Sequence, residues 1–427
     1  MLFRSRLFEG VPSPTEMVRY HSLACSDLPS TVRATAVAAD GVLMALEHTT
    51  LPQWGVQFHP ESIASEHGRT IVANFLRIAG IGPARTRPAP APPLPADAPL
   101  LHEVIETRLD GERLFAEAFR DSPAAVWLDG IAEGSRFSVL GDDSGPLAHR
   151  LTYDAAARRI TITDRAGTQV REGRLFDHLR ALPRAPGVPD LPFALGYCGY
   201  FGYELRQDCG SPVRHRSPFA DAQLLYLDRA VVLDHQEGRA HLLALPHPEN
   251  ERWLREMRLT NLPEVEAATP SAGRVTWRDS RETYRAKVMA AQEHLAAGES
   301  YELCLTNHAS VRCPEDPFTV YQQLRRVNPA PYAAFLRLPG IAILSSSPEL
   351  FLKVDRDGGV TARPIKGTRR RTAGDVGVVE DLRSSEKDRS ENLMITDLLR
   401  NDLGRVCAIG SVRVPSLFAV EIGRAHV

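Results

Sequence analysis

Between Gly80 and Pro99 the chain reads GIGPARTRPAPAPPLPADAP, an alternation of Pro and Ala with no apolar periodicity. Proline fixes φ and removes a backbone donor, so such a run enters neither a helix interior nor a sheet ladder. It behaves instead as a semi-rigid, extended linker. The 427 residues therefore divide into differently built units, a short one over 1–79 and a long one from 100 onward. The short unit is small for a free-standing core. At roughly 150 residues per domain the whole chain has room for two to three domains.

Composition narrows the function classes. With 51 Lys+Arg against 53 Asp+Glu the formal charge is −2, which argues against an electrostatic binder of nucleic acid or of membrane surfaces. No apolar run approaches the roughly 20 residues of a membrane helix, and the N-terminus lacks the apolar core of a signal peptide. Cys25, Cys198, Cys209, Cys304, Cys313 and Cys407 are scattered without a CxxC pair, so neither a disulfide framework nor a zinc site is suggested. A cytoplasmic protein with no nucleic-acid or membrane partner is expected.

From Leu101 to about Pro270 the pattern is mostly short strands. RFSVLGD, RITITDRAG and AVVLDHQEGRAHLLALP show β-branched alternation punctuated by Gly, Asp or Asn, the last as a hairpin across Asp234–Gly238. A helix is predicted over Arg281–Ala297, closed by Gly298, and another from about Ser384 to Leu403. Strands lie between them at AAFLRL, IAILSS, LFLKVD and GVTARPI. Hairpin-spaced strands with few helices indicate an α+β, antiparallel-sheet fold.

Upstream, GVQFHPESIASEHG delivers His59, Pro60 and Glu61 at a strand tip. Two-residue spacing lets His59 and Glu61 project to similar sides, and a His oriented by a carboxylate is two-thirds of a nucleophilic triad. Alone, a His-Pro-Glu turn is more often plain surface. Downstream, GYCGYFGYELRQDCGSPVRHRSP reads as structural, with glycines for close approach and aromatics for core. In AGESYELCLTNHAS a strand places Glu302, Cys304 and Thr306 on one face and Leu303, Leu305 and Asn307 on the other.

Three further phrases carry chemistry. SSSPELF sets Glu349 after a Pro at a strand junction, where partial desolvation would raise its pKa and suit a general acid; an exposed turn is the equal alternative. VTARPIKGTRRR ends a strand at Lys366, beside Gly367 and Thr368. A lysine amine, at about pKa 10.4 when free, needs desolvation or a nearby cation before it can act as a nucleophile. SEKDRSENLMITDLLRNDLGRV is a helix on which Glu391 shares an apolar stripe with Met394, Ile395 and Leu398, Asp402 returning to it, while Arg389 and Arg400 point away. A carboxylate on a buried face must be paired or bind a cation, and oxygen-only ligation suits Mg²⁺; an internal salt bridge is the alternative.

The upstream phrase closely resembles the C-terminal end of class I (triad) glutamine amidotransferases. By that resemblance His59 and Glu61 match the triad His and Glu, and Tyr20, His21 and Ser22 the segment that holds glutamine. The family's nucleophilic Cys lies in a Gly-rich turn that this sequence does not contain, and Cys25 lacks that setting. As written, this half is not expected to hydrolyse glutamine. The downstream phrases resemble the chorismate-utilising family of anthranilate, aminodeoxychorismate, isochorismate and salicylate synthases. The implied fold is the anthranilate synthase component I-like one, preceded by a fragment of an α/β amidotransferase.

Within that family PIKGT is the discriminating detail, since the lysine at Lys366 is typical of the aminodeoxychorismate branch and a small residue of anthranilate synthases. WLDG (Trp127–Gly130) also replaces a Leu-Leu-Glu-Ser motif tied to tryptophan feedback. The resemblance implies amination of chorismate to 4-amino-4-deoxychorismate with ammonia from L-glutamine, and an aminodeoxychorismate lyase as the next enzyme. Lys366 would be the nucleophile, Glu349 the proton donor, Glu391 an Mg²⁺ ligand, and Gly367 and Thr368 site lining. Anthranilate synthesis and a non-catalytic chorismate-binding remnant are the competing readings. The expected divisions are 1–79 (amidotransferase fragment), 80–99 (linker), 100–270 (N-terminal component I-like domain), 271–421 (chorismate-binding domain) and 422–427 (artefactual tail). The ends MLFRS and IGRAHV match in-frame translations of a sequencing adaptor, so authentic sequence is expected from about Arg6 to Glu421. A family active-site His, a carboxylate-binding Gly-rich stretch and a second Mg²⁺-binding Glu are expected beyond Val420, and the chain as written is expected to lack full activity.

Overall fold

The computed structural model describes residues 5–21, 23–81, 100–130, 135–182, 188–212, 216–257, 262–265, 273–300, 302–369 and 377–420. Ser22, most of the Pro/Ala stretch and the two extreme ends, on which expectations were placed, lie outside the described residues.

Upstream, β1 (Val32–Val37), β2 (Leu43–His48) and β3 (Trp54–Val56) form an antiparallel sheet, followed by α1 (Gly68–Ile78). Leu7, Phe8, Met44, Phe58 and Ile71 make its small core.

Downstream, β4 (Leu101–Glu106), α2 (Gly111–Ala118), β5 (Ala125–Asp129) and β6 (Phe137–Asp142) lead into β7 (His149–Asp154), β8 (Arg159–Asp164) and β9 (Gly167–Glu172). After α3 (Leu175–Arg180) come β10 (Gly196–Phe201), β11 (Ala222–Leu227), β12 (Arg229–Asp234), β13 (Arg239–Ala244) and α4 (Pro248–Glu256). Then follow β14 (Thr276–Trp277), α5 (Arg281–Ala296), β15 (Ala309–Ser310) and α6 (Pro317–Val327). The hairpins β16 (Tyr332–Leu338) with β17 (Ile341–Ser347) and β18 (Leu350–Val354) with β19 (Val360–Arg363) precede α7 (Val378–Ser384) and α8 (Glu386–Gly404).

Twelve of these strands build two stacked sheets, while β14 with β15 and β18 with β19 form separate two-stranded ones. The larger has seven strands in the order β17-β16-β5-β6-β12-β13-β4, and the smaller five in the order β10-β11-β7-β8-β9. Strand alternation sorts the side chains. On β12, Val231 and Leu233 face α2 and α6, joining Phe115, Trp127, Phe318, Tyr321 and Phe335 in an aromatic core. Ala230 and Val232 face the smaller sheet, against Leu225 and Leu227 of β11. The expected antiparallel α+β architecture is therefore present, and the large sheet crosses residue 270, because β16 pairs with β5. The Asp234–Gly238 hairpin forms as expected, the Asp234 side chain accepting the backbone N–H groups of Gln236 and Glu237 at 3.0 Å each.

One strand expectation fails. Residues 302–308 form no strand, and strand pairing begins only at Ala309–Ser310, against Thr276–Trp277. A strand is defined by its neighbour as well as by its alternation, and among the described residues no strand lies alongside 302–308. Among the described residues no helix is long and apolar enough to cross a membrane.

Candidate active site

The upstream site forms where the chain leaves β3. Phe58 is buried and anchors the turn, while the His59 N–H donates to the Val18 carbonyl at 2.8 Å. A Cβ at Gly68 would fall 1.8 Å from the Pro60 carbonyl oxygen, so α1 can start this close to the turn only with glycine there. In this frame His59 Nδ1 lies 2.8 Å from Glu61 Oε1, the orienting pair expected from the spacing. The Tyr20 ring centroid sits 5.0 Å from that of His59. His21 Nδ1 donates to the Leu23 carbonyl at 2.9 Å, leaving its buried Nε2 without a partner.

The downstream site is assembled by α8 against the strand-end PIKGT. The Asn392 amide donates to the Pro364 carbonyl at 3.3 Å, and the Ile365 N–H donates to Glu349 Oε1 at 3.1 Å. Gly367 has φ +76, and a Cβ there would stand 2.8 Å from Asp388 Cγ in the first turn of α8. Glycine is thus required both for the left-handed backbone and for the close approach. Arg369 then ties the following backbone to α7 and α8, through Asp381 at 2.6 Å and Asp388 at 2.8 Å. Lys366, Glu349, Gly367 and Glu391 are thereby brought into one region, with Thr368 at its exposed margin.

Three expectations about these residues need correction. Lys366 is held as an ammonium: Glu302 accepts from Nζ at 2.7 Å and pushes the amine above its ordinary range, against a smaller opposing effect of burial. The neighbouring Arg369 guanidinium is paired with Asp381 and Asp388, so it is not a free cation beside the amine. Glu349 is exposed, since the junction after Pro348 lies on the surface, so the desolvation expected of a general acid is absent in this state. On α8 the buried residue is Leu393; Leu398 is 45% exposed and Asp402 is exposed, so the stripe through Glu391 is not a buried face.

Arg400, expected to point away, instead donates to the Glu61 carbonyl at 2.9 Å and to Asp397 at 2.8 Å. Asp397 also accepts from the Tyr20 hydroxyl at 3.1 Å, the Ile63 N–H at 3.0 Å and the Ser62 hydroxyl. Burial, with the Asp397 charge adding to it, pushes the Tyr20 phenol well above its usual range. Helix α8 thus touches both candidate sites. Glu302 and Asp397 are the residues that sequence reasoning did not select; the alternation of Glu302 with Cys304 was the available signal for the first, and none pointed to the second.

Among the described residues no group of three or more His, Cys, Asp or Glu side chains converges to hold a metal ion. Glu391, 29% exposed and 3.7 Å from Lys387, offers hard oxygens near Lys366. That donor chemistry fits Mg²⁺, which keeps several waters and uses one or two carboxylates together with substrate oxygens.

Residues 134–426 match the chorismate binding enzyme family, and residues 2–79 match the class-I glutamine amidotransferases. The chain belongs to the chorismate-binding enzymes. It is 46% identical to aminodeoxychorismate synthase of Streptomyces pristinaespiralis, over 97% of this chain and 64% of that protein. The aminodeoxychorismate synthase of Streptomyces griseus is 43% identical, over 97% of this chain and 63% of its own length. The chain thus spans less than two thirds of these relatives. The solved structure of anthranilate synthase component I from Streptococcus pneumoniae TIGR4 matches with a TM-score of 0.52 at 23% identity, over 64% of this chain and 62% of that one, which establishes the shared fold.

Proposed function

We propose that this chain belongs to an enzyme that aminates chorismate to 4-amino-4-deoxychorismate, using ammonia released from glutamine. The observation that carries the reading is the placement of Lys366 in PIKGT between Glu302 and the acidic helix α8, with Glu349 hydrogen-bonded one residue before it. The names of the relatives support the same reaction.

In this mechanism Lys366 adds to the substrate ring, and the C4 hydroxyl leaves as water with a proton from Glu349. Ammonia then displaces the lysine. A covalent intermediate divides one difficult substitution into two easier ones. Gly367 keeps the nucleophile's backbone tight against α8, and Thr368 lines the margin. Glu391 would hold Mg²⁺, which supplies charge neutralisation at the substrate carboxylate.

His59, oriented by Glu61, would serve the glutaminase half as base, with Tyr20, His21 and Ser22 holding glutamine. Residues 1–79 and 100–421 then read as two units joined by the Pro/Ala spacer, working in the cytoplasm ahead of a lyase that consumes the product. The test is to give the protein, at its full natural length, chorismate, Mg²⁺ and ammonia, and to identify the product. 4-Amino-4-deoxychorismate that is lost in Lys366→Ala is the expected result. Anthranilate as product, or unchanged turnover in Lys366→Ala, would overturn the reading.

A further inference from the structure

Lys366 poses a problem that its motif does not solve. The nucleophile must be a free amine, yet in this structure it is an ammonium clamped to a carboxylate. Glu302 Oε1 lies 2.7 Å from Nζ, and the two side chains are 23% and 29% exposed. The carboxylate is itself located by its backbone, since the Ser300 hydroxyl donates to the Glu302 carbonyl at 2.9 Å. The other ionisable groups acting on the amine through space are Glu391 and Cys304. Glu349 is engaged by the Ile365 N–H.

From this arrangement we infer that Glu302 is the base that takes the proton from Lys366, and so determines when the amine can attack. The inference rests on Lys366 being the nucleophile, as argued above. In water the proton stays on nitrogen, because free lysine and glutamate differ by about six pKa units. Once substrate covers the pair, the charged form loses hydration that the neutral form does not need, and the balance moves toward carboxylic acid and amine. The carboxylate that holds the amine in reserve is then the group that releases it.

The step balances. The proton moves from Nζ to Glu302 Oε1. The amine lone pair forms the N–C bond as the C4–O bond breaks, and Glu349 protonates the departing hydroxyl to water. When ammonia displaces the lysine, the C–N bond to Lys366 breaks with its pair returning to Nζ. Glu302 gives the proton back, and the new product ammonium restores the proton to Glu349.

Two measurements test this, and the first needs no turnover. Competitive acylation of the 427-residue protein with acetic anhydride across pH, read by peptide mass spectrometry, reports the titration of Lys366. In Glu302→Gln the midpoint should fall and the reactivity near neutral pH should rise; an unmoved midpoint would overturn the inference. The second is turnover with ammonia in the full natural length. Glu302→Gln should lose about 100-fold at neutral pH, the low end of general-base contributions, and recover as the pH rises and solvent takes over deprotonation. Glu302→Asp should retain part of the rate. A loss that is the same at every pH, or no loss, would show Glu302 to be structural. If Lys366→Ala abolishes turnover while Glu302→Gln behaves as wild type, the inference fails and the reading of Lys366 stands; if Lys366→Ala is fully active, that reading fails first.

Discussion

The Asp397 carboxylate of α8 accepts the Tyr20 hydroxyl at 3.1 Å, although 377 residues separate them in the chain. The same carboxylate takes the Ile63 N–H, and Arg400 one turn on takes the Glu61 carbonyl. One short stretch of helix therefore fastens the turn that carries His59 and Glu61. Removing Asp397 leaves the partly buried Tyr20 and Ser62 hydroxyls without this partner, at about 1–3 kcal/mol each. Asp397→Ala should speed hydrogen exchange at the Ile63 amide and nearby, with little change in the large sheet. Exchange at Ile63 matching wild type would show the contact to be incidental.

Arg325 of α6 sits beneath the large sheet between two buried carboxylates. Its Nε is 2.7 Å from Asp129 and its Nη1 2.7 Å from Glu112, and its guanidinium lies 4.7 Å from the Trp127 ring centroid. Breaking a buried ion pair from one side leaves uncompensated charge and costs about 3–5 kcal/mol. Arg325→Met should lower the stability of this core by that order in chemical denaturation. A loss below about 1 kcal/mol would mean that water reaches Asp129 and Glu112.

Burial raises two phenols of the smaller sheet, Tyr153 and Tyr197, each to about 12, with Asp208 adding to the first and Tyr226 to the second. An ordinary tyrosine ionises near 10. Between those values the folded state keeps protons that the unfolded state has lost, so stability is full below about pH 10 and falls as the pH rises toward 12. Tyrosinate absorbance should therefore appear in two phases, the later one coincident with loss of the folded circular dichroism signal. Ionisation of all tyrosines in a single phase near 10, with the fold intact, would contradict this burial.

How much of this was legible in sequence follows from what each feature depends on. Helices α5 and α8 were readable because their starts are local: Ser280 accepts the Thr283 N–H and Ser385 the Asp388 N–H. The His59–Glu61 pair spans two residues, and their spacing sufficed. Residues 302–308 alternate like a strand but have no partner to make them one. The face of α8 was misassigned because its buried residue is Leu393, and Asp388, Asn392 and Asp397 make polar contacts, while Leu398 on the Glu391 stripe is exposed. The Lys366–Glu302 and Asp397–Tyr20 contacts join distant segments, and no periodicity encodes them.

Gly367 offers a direct test of how tightly PIKGT must lie on α8. Alanine there would meet the left-handed backbone cost of about 1–2 kcal/mol and would also place Cβ 2.8 Å from Asp388 Cγ. The loop must then move off the helix, carrying Lys366 away from Glu302. Gly367→Ala should lower the thermal midpoint and, on the proposed function and at full natural length, cut ammonia-dependent turnover by at least about tenfold, as small misplacements at reacting centres do. Wild-type turnover in a folded Gly367→Ala protein would separate the motif's backbone from its chemistry.

Glu391 carries the remaining question, whether α8 supplies the hard oxygen that a divalent ion needs. Its nearest cation, Lys387, lies 3.7 Å away on an exposed side chain, a pair of the kind worth little in water. The carboxylate is thus available to a stronger partner. Glu391→Gln keeps the size and removes the charge, so it should leave folding intact while, on the proposed function and at full natural length, raising the Mg²⁺ concentration needed for half-maximal turnover by about tenfold or more. Because Glu391 also helps to hold Lys366 charged, the same variant should lower the titration midpoint of that amine slightly, and by less than Glu302→Gln does. An unaltered Mg²⁺ response would remove Glu391 from the metal site, whatever became of the lysine.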